Sequence, residues 1–295
     1  MTRNQIIQQY VRVNRKYEDQ FLPVIRRAIH AKVLRVIAAL KEGGVPAANN
    51  YLLSDIGNAS MGEAIKTLYI MVGRKHAQLN YSRLLHDTRR RKSVDMQLQS
   101  KGFGYNAQWV AFILNYLSRF LLDKVTFEIA STTRDAMLKA LTEMTTEGLS
   151  VDLMIERLKD WPYERFQAAR IVRTEVNRAA NVGATAQANT SEYQQMKEWV
   201  ATHDYRTRGQ NPKDHASHIG LDGVKINEDD MFTDPRNGDR LMFPGDPNAK
   251  AESTINCRCQ AVYTFKRDAE GNLIPKRRST VVIYPGRRQT QTITI

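Results

Sequence analysis

Residues 160–188 have the sequence DWPYERFQAARIVRTEVNRAANVGATAQA, and they stand where the character of the chain changes. Asp160 followed by Pro162 predicts the start of a helix, because both residue types favour a first helical turn. We expect this helix to run to about Ala188. It is the last in a series of predicted helices, and the segments after about residue 195 are short and rich in turn residues.

Upstream of this stretch, apolar residues recur at three- and four-residue steps, which predicts helices with one buried face. The pattern predicts a helix that starts at Pro23, a second around 61–72, a third over 109–121 and a fourth preceded by Ser131-Thr132-Thr133. Thr132 and Asp135 have the spacing of a capping box. Gly43-Gly44 and residues 101–105 are the predicted breaks.

Downstream of residue 195, Asn-Pro, Asp-Gly, Asp-Pro and Pro-Gly pairs predict a compact module dominated by turns. Lys197–Thr202 and Cys257–Phe265 are predicted strands, the second alternating and rich in aromatic residues. From about Lys266 the chain is polar and basic, with a β-prone Thr280–Tyr284, and we expect it to extend from the module towards a partner.

These patterns together predict an α+β protein: a predominantly helical N-terminal region, a small loop-rich mixed α/β module and an extended basic tail. We divide the chain into a helical docking region at 1–130, a domain of long helices and the loop-rich module at 131–265, and the tail at 266–295. A length of 295 residues is natural for two domains.

Composition excludes several classes of protein. Hydrophobic residues make up 42% and charged residues 25%, which is ordinary globular usage and not that of a disordered chain. The apolar stretch from Trp109 to Leu122 is too short and too polar to span a bilayer, and the N-terminus lacks the apolar core of a secretory signal. Two cysteines form no disulfide scaffold, so we expect a soluble protein made in a reducing cytosol.

The net charge of +13 is unevenly distributed. Residues 1–150 carry 22 basic and 12 acidic side chains, 151–265 carry 15 and 17, and 266–295 carry 7 and 2. Such clustered cations attract polyanions through counterion release, without recognition of base sequence; the alternative is a solvated helix end or a salt-bridged protein interface. The candidate DNA contacts are Arg89, Arg90, Arg91 and Lys92, followed by Lys276, Arg277, Arg278, Arg287 and Arg288.

The loop-rich module holds both cysteines and three of the six histidines. Cys257 and Cys259 on one strand would direct both sulfurs to the same face, where His215 and His218 would complete a Cys2His2 zinc site. The alternative is that both cysteines are small buried hydrophobic residues, and we expect no other cofactor.

The same histidines also raise the possibility of an enzyme. His203, His215 and His218 beside arginines would suit phosphodiester cleavage, with histidine transferring protons and arginine stabilising the developing charge. The alternative is structural, with acid–arginine pairs fixing loops that lack regular hydrogen bonding. Since phosphate-loop, GxSxG, HExxH and GxGxxG signatures are absent from the sequence, we assign no catalytic residue.

Five segments, taken in order, resemble a known family. They are RIVRTEVNRAAN at 170–181, WVATHDYRTR at 199–208, HASHIGLDG at 215–223, FPGDP at 243–247 and INCRC at 255–259. This combination is similar to the phage head-morphogenesis family typified by the Mu F minor head protein, over roughly residues 130–265. The motif residues to which the resemblance gives a structural role are Trp199, Asp204, Arg206, Arg208, His218, Asp222, Gly223, Pro244, Gly245, Asp246, Cys257, Arg258 and Cys259.

The resemblance implies a minor capsid protein of the virion, located at the portal vertex or in the capsid interior and present in the host cytoplasm during assembly. The implied partners are the portal protein and the inner capsid, with no membrane in the assembled head. The basic first half of the chain independently favours nonspecific contact with double-stranded DNA. A nuclease or toxin-like domain using His203, His215 and His218 remains the alternative function.

Overall fold

The computed structural model describes residues 2–54, 59–90, 105–118 and 122–276, and it is 66% helical with a small sheet region in its C-terminal part. This confirms the predicted α+β class. Among the described helices, none combines the length and apolar character that a bilayer crossing requires. The long helices are α1 (Arg3–Ser54), α2 (Ala59–Arg90), α3 (Tyr105–Tyr116), α4 (Leu122–Thr146), α5 (Val151–Lys159) and α6 (Tyr163–Thr190).

The loop-rich module follows α6 and contains only short elements. They are β1 (Gln195–Val200), α7 (His218–Leu221), β2 (Lys225–Asn227), β3 (Phe232–Thr233), β4 (Arg240–Leu241), α8 (Ala251–Thr254) and β5 (Gln260–Phe265). Strands β2, β1 and β5 form an antiparallel sheet in that order, with Trp199 opposite Ala261, and β3 pairs with β4. One edge of the larger sheet is therefore β5.

The predicted helix starting at Pro23 and the predicted cap at Thr132 are wrong. Helix α1 begins at Arg3 and passes through Pro23, with buried Phe21 and Ile25 on either side of it. Thr132 lies inside α4, where its hydroxyl donates to Glu128 O four residues earlier at 2.6 Å. In both places burial of a continuous helical face outweighs a local start signal.

The break predicted at Gly43-Gly44 is confirmed. Both residues leave helical geometry, and Gly44 has φ 66° and ψ −159°, so α1 is kinked there. A side chain at that backbone conformation is strained, which explains why glycine is found at the kink. The other predicted break, at 101–105, falls largely outside the described residues.

The strand and tail predictions need correction. β1 begins two residues earlier than predicted, and β5 begins at Gln260, so Cys257 and Cys259 precede the strand. The described part of the tail folds back on the module: the Lys276 amide donates to Glu192 O at 2.8 Å, and Tyr193 pairs with Pro275. Residues 277–295, including Thr280–Tyr284, lie outside the described residues.

The chain forms two compact units. The first combines Met1–Tyr17, Leu68–Tyr116 and Arg173–Ile295, and the second combines Glu18–Thr67 and Leu117–Val172. The core of the second unit brings α1, α4 and α5 together through residues such as Val36, Leu40, Leu141 and Leu158. Because helices run from one unit into the other, each unit is assembled from distant parts of the sequence.

Within the first unit, residues 174–185 of α6 are buried apart from half-buried Thr185, and they carry a row of polar side chains on one face. These polar residues recur at helical spacing, so they point the same way. We call them the polar stripe; its members are Thr174, Asn177, Arg178, Asn181 and Thr185.

The polar stripe follows the outer edge of β5 and the turns that precede it. Asn177 and Asn181 donate through Nδ2 to Cys259 O at 3.3 and 3.2 Å, and Asn181 Oδ1 accepts the Ala261 amide at 2.8 Å. Arg83 of α2 donates to Tyr263 O. Backbone groups at a sheet edge need partners, and here side chains of two helices supply them.

The other members of the polar stripe bind neighbouring segments of the module. Thr174 Oγ1 accepts the Asn256 amide at 3.0 Å, and Thr185 shares a hydrogen bond of 2.9 Å with the Tyr263 hydroxyl. Arg178 donates through Nε to Gly245 O at 2.8 Å. The stripe therefore fixes the position of the module by specific hydrogen bonds along its whole length.

Helices α2 and α6 approach each other closely at a pair of glycines. A Cβ atom placed on Gly183 would lie 2.0 Å from Gly73 O, and one on Gly73 would lie 2.7 Å from Ile113 Cδ1. Because backbone atoms cannot yield as a flexible side chain does, only glycine permits this approach at position 183.

We expect Gly183→Ala to lower the free energy of unfolding by about 1–3 kcal/mol or more, because overpacking forces the two backbones apart. Gly62→Ala in α2 is the matched control, since its added Cβ would meet nothing nearer than Thr126 Cγ2 at 3.8 Å. The control should be neutral or slightly stabilising. Urea unfolding of both variants measures the difference, and equal effects would contradict the close crossing.

Candidate functional site

Two sulfurs and one imidazole meet in the interior of the loop-rich module. Cys257 Sγ lies 3.6 Å and Cys259 Sγ 3.5 Å from His218 Nδ1. All three side chains are buried, and their ligand atoms lie within 4.8 Å of one another. We call these three residues the Cys–His cluster. The prediction that both cysteines approach the His218 loop agrees with this geometry, although they do so from a turn and not from a strand.

Local backbone geometry explains how the turn brings both sulfurs together. Asn256 has a positive φ of 56°, and the Cys257 amide donates to Thr254 O at 3.1 Å, so the chain reverses just before the cysteines. His218 is the first residue of α7, whose cap is Ser217; the Ser217 hydroxyl accepts the Gly220 amide at 3.2 Å.

An aromatic wall completes the surroundings of the Cys–His cluster. Trp199 is fully buried in β1, and its ring meets the His218 ring edge to face with centroids 5.1 Å apart. The Phe232 ring also packs against the Trp199 ring, with centroids 5.2 Å apart. The two cysteines belong to the same small core as these rings, together with Leu221 and Leu241.

The two thiols of the cluster differ in acidity. Burial alone would raise the pKa of Cys257, but its hydrogen bond with Cys259 and the neighbouring His218 lower that pKa well below the usual range. The same hydrogen bond, together with burial, raises the pKa of Cys259. Cys257 is therefore the more acidic of the two thiols.

Asp204 fixes the loop after β1. Its carboxylate forms a two-pronged ion pair with Arg258, which lies between the two cysteines in sequence, and accepts the Arg206 amide at 3.0 Å. Burial would raise the pKa of Asp204, but Arg258 and the Arg206 amide lower it below the usual value. Arg208 donates to Ile255 O in the same region. The motif arginines 208 and 258 therefore fix backbone around the cluster, whereas the Arg206 side chain is exposed beside Tyr205.

Asp222 joins three segments of the first unit. Its carboxylate accepts the Ala201 amide at 2.8 Å, His203 Nε2 at 2.8 Å and the Arg3 guanidinium at 2.6 Å. Burial would raise the pKa of Asp222, but these three donors lower it. Gly223 follows with φ 81°, the left-handed geometry that turns the chain back towards β1.

The Pro244-Gly245-Asp246 turn is entirely buried. Gly245 has φ 85° and offers its carbonyl to Arg178, while Asp246 accepts the Met242 amide at 2.9 Å. Arg178 is itself held by Glu175 at 2.8 Å. The turn is therefore attached to α6 by a buried charged group that is paired with a carboxylate of the same helix.

The structure does not bring the three histidines of the nuclease alternative into one set. His203 is exposed and bound to Asp222, His215 is exposed, and His218 is buried against two sulfurs. The predicted Cys2His2 set is also incomplete, because His215 does not join the Cys–His cluster. His215 precedes α7 by three residues, in an open loop, and only the helix start at His218 turns a ring inwards.

Of the candidate DNA contacts, Arg89 and Arg90 are the last residues of α2, and Lys276 is the last described residue. The Lys276 ammonium is already engaged, since it donates to Ala188 O and to Glu228 at 2.8 Å each. Arg91, Lys92, Arg277, Arg278, Arg287 and Arg288 lie outside the described residues.

Part of the chain matches a known protein family. The family model described as Phage Mu protein F like protein matches residues 135–262. This region of the chain is similar to that family. The match confirms the resemblance drawn from the sequence, and the Mu F-like region contains the polar stripe, the Cys–His cluster and the first half of β5. The family is one of structural phage head proteins. No curated protein and no solved structure matches the chain.

Two features of the Mu F-like region are not among the features predicted from the sequence. The polar stripe has a visible signal, because positions 174, 177, 178, 181 and 185 repeat at helical spacing among small and apolar residues. Lys197 had no such signal: it lies in β1, is fully buried and donates through Nζ to Met242 O at 2.8 Å.

Burial lowers the pKa of Lys197 from 10.5 to about 8, although Asp229, Asp230, Asp246 and Glu228 act in the opposite direction. Between these two pKa values the unfolded chain binds a proton that the folded chain does not. The free energy of unfolding therefore rises with pH across this window, since the neutral amine is cheaper to bury.

We expect wild-type stability to increase relative to that of Lys197→Met as the pH rises from about 7 to about 10. Both proteins share all other titratable groups, so the difference between their free energies of unfolding isolates the titration of Lys197. Urea midpoints measured across this range test the effect. A constant difference between the two proteins would contradict a lowered Lys197 pKa.

Proposed function

We propose that this chain is a minor capsid protein that associates with the portal vertex inside the phage head. There it contacts double-stranded DNA without sequence preference during head assembly, packaging or ejection. The Mu F-like region supports the head-morphogenesis role. The portal and DNA contacts are inferences from the exposed surface and from the distribution of charge.

One structural observation carries the proposal: the polar motif residues of the Mu F-like region mostly hold its own backbone. Asp204, Asp222 and Asp246 each accept backbone amides, and Arg178 and Arg208 each donate to a backbone carbonyl. A catalytic site would need such groups aimed at an open space for substrate. A rigid scaffold for docking needs them paired as they are here.

Exposed apolar side chains in the second unit support the proposed contact with a partner. Five of the seven large apolar side chains exposed in the described residues belong to that unit, and apolar groups that come together on a surface mark protein interaction sites. Three of the five lie within the predicted docking region 1–130 and two lie within the Mu F-like region. The five residues are Leu34, Leu53, Phe127, Leu153 and Phe166.

One contact within the first unit decides how docking should be tested. Ile6, Ile7 and Tyr10 of α1 pack on Val200 and Val262 in the sheet of the loop-rich module. Arg3 also binds Glu198 and Asp222. Truncation would remove this cover, so substitutions in the full chain are the suitable test.

We expect the triple variant Leu34→Ser, Leu53→Ser, Phe127→Ser to weaken binding of the full chain to portal oligomers at least about tenfold, or ~1.4 kcal/mol, through loss of buried apolar area. The matched variant Leu153→Ser, Phe166→Ser should retain binding. Affinity measurements on immobilised portal separate the two surfaces. Loss of binding only in the second variant would place docking in the Mu F-like region and contradict our division of the chain.

The DNA contact is assigned to the basic run at the end of α2. Replacement of Arg89, Arg90, Arg91 and Lys92 by glutamine should weaken binding to all DNA sequences alike. It should also make the dependence of log K on log salt shallower by about 0.9 for each phosphate that the variant no longer neutralises. Fluorescence anisotropy with two unrelated duplexes at several salt concentrations measures both effects.

A variant with the same change in net charge serves as the control. It replaces four exposed cations of α4 and α5, each of which lies within 4 Å of a glutamate, namely Lys124, Lys139, Arg157 and Lys159. Since these cations are already paired, the control should retain most of the affinity and salt dependence. Equal losses in both variants would show that net charge, and not the α2 run, governs binding.

A further inference from the structure

We propose that the Cys–His cluster binds one zinc ion, through Cys257 Sγ, Cys259 Sγ and His218 Nδ1. The ion would be a structural element of the loop-rich module. The inference stands independently of the portal and DNA contacts, because it rests only on the interior of the module.

The geometry of the cluster fits the ion without rearrangement. Zinc bonds of about 2.3 Å to sulfur and 2.0–2.1 Å to nitrogen, at tetrahedral angles, place a sulfur and a nitrogen about 3.5–3.6 Å apart. The two Sγ–Nδ1 separations are 3.6 and 3.5 Å. Both sulfur-to-nitrogen separations therefore have the values of a zinc coordination sphere, and the two sulfurs lie within 4.8 Å of each other.

Hydrogen bonding alone explains this arrangement less well. His218 Nδ1 has one lone pair and can accept one S–H donor, yet both sulfurs lie at contact distance from it. The cluster is buried, so the second thiol has only the neighbouring cysteine sulfur, a weak acceptor, as an alternative partner. A cation that both sulfurs and the nitrogen share removes this conflict.

The surrounding structure holds the ligands from outside, as the neighbours of a metal site do. Asn177 and Asn181 fix the carbonyl of Cys259, and Arg258 is held by Asp204. Trp199 packs edge to face against the His218 ring. Both cysteine backbones and the imidazole plane are thereby positioned before any ion arrives.

The module also has a physical need for a cross-link. Its helices α7 and α8 have four residues each, and β3 and β4 have two each. Small scaffolds with few regular elements commonly depend on a metal or a disulfide. The ion would join α7 to the turn before β5, across 39 and 41 residues of chain.

Three protein ligands leave one coordination position. Within the described part of the chain, no further His, Cys, Asp or Glu joins the cluster. A water molecule or another small donor would complete the tetrahedron. His215, the fourth ligand expected from the sequence, does not belong to the set and provides a natural control.

The test uses the full chain, purified under reducing conditions without chelator. We expect about one zinc per chain by elemental analysis, as for a buried site with two thiolate ligands. Removal of the zinc should lower the Tm by about 5 °C or more, and added Zn²⁺ should restore it. Co²⁺ in place of zinc should give the sulfur-to-metal charge-transfer absorption and the visible bands of tetrahedral cobalt.

Variants identify the ligands. Cys259→Ser and His218→Gln should lose the metal, whereas His215→Gln should keep both the stoichiometry and the cobalt spectrum. Because the first two variants can unfold, the cobalt spectrum of the wild-type chain decides the question by itself. Fewer than about 0.1 zinc per chain after reconstitution would overturn the proposal. So would the free reaction of both thiols of the reconstituted protein with a thiol reagent, or a Cys257–Cys259 disulfide in the purified protein.

Discussion

The outer edge of β5 has backbone donors and acceptors that need partners, and helix α6 supplies them through side-chain amides. Asn177 and Asn181 bind the Cys259 carbonyl, and Asn181 also accepts the Ala261 amide. This constraint determines much of the first unit. It requires polar residues in the middle of a buried helix. It also fixes the position of β5, the strand that follows the two cysteines.

The same constraint accounts for the chemistry of the Mu F-like region. Its polar residues recur in a pattern that suggests a catalytic site, but they are held by backbone groups and by one another. Glu175, for example, binds both the Tyr69 hydroxyl at 2.7 Å and Arg178 at 2.8 Å. A buried charged pair of this kind is costly to break from one side, so it favours one arrangement of helix and turn. Such rigidity suits a head protein whose module must keep its shape during assembly.

The sequence allowed much of this structure to be predicted. The helices described before residue 190, the break at Gly43-Gly44 and the change to short elements near residue 195 follow from local periodicity and turn chemistry. The approach of two cysteines to His218 was predicted from their chemistry as metal ligands. Such signals act over a few residues, and they are reliable where burial does not compete. At Pro23 and Thr132 burial does compete, and the local signals were misleading there.

Long-range features were beyond sequence reasoning. The close approach of Gly73 to Gly183 depends on a helix crossing between positions 110 residues apart. The burial of Lys197 depends on a carbonyl in a distant turn, at Met242. His215 is excluded from the Cys–His cluster because α7 begins only at His218. The spacing of residues within a loop does not determine where a helix begins.

Hydrogen exchange at the Ala261 amide tests most directly whether side chains of α6 pair with the outer edge of β5. In the wild-type chain we expect this amide to be among the most protected of the module, because it donates to Asn181 Oδ1 inside the first unit. In Asn181→Ala, protection over residues 257–265 should fall at least about tenfold, or ~1.4 kcal/mol, while helices α4 and α5 keep theirs. Unchanged exchange at Ala261, or an equal loss of protection throughout both units, would contradict the account.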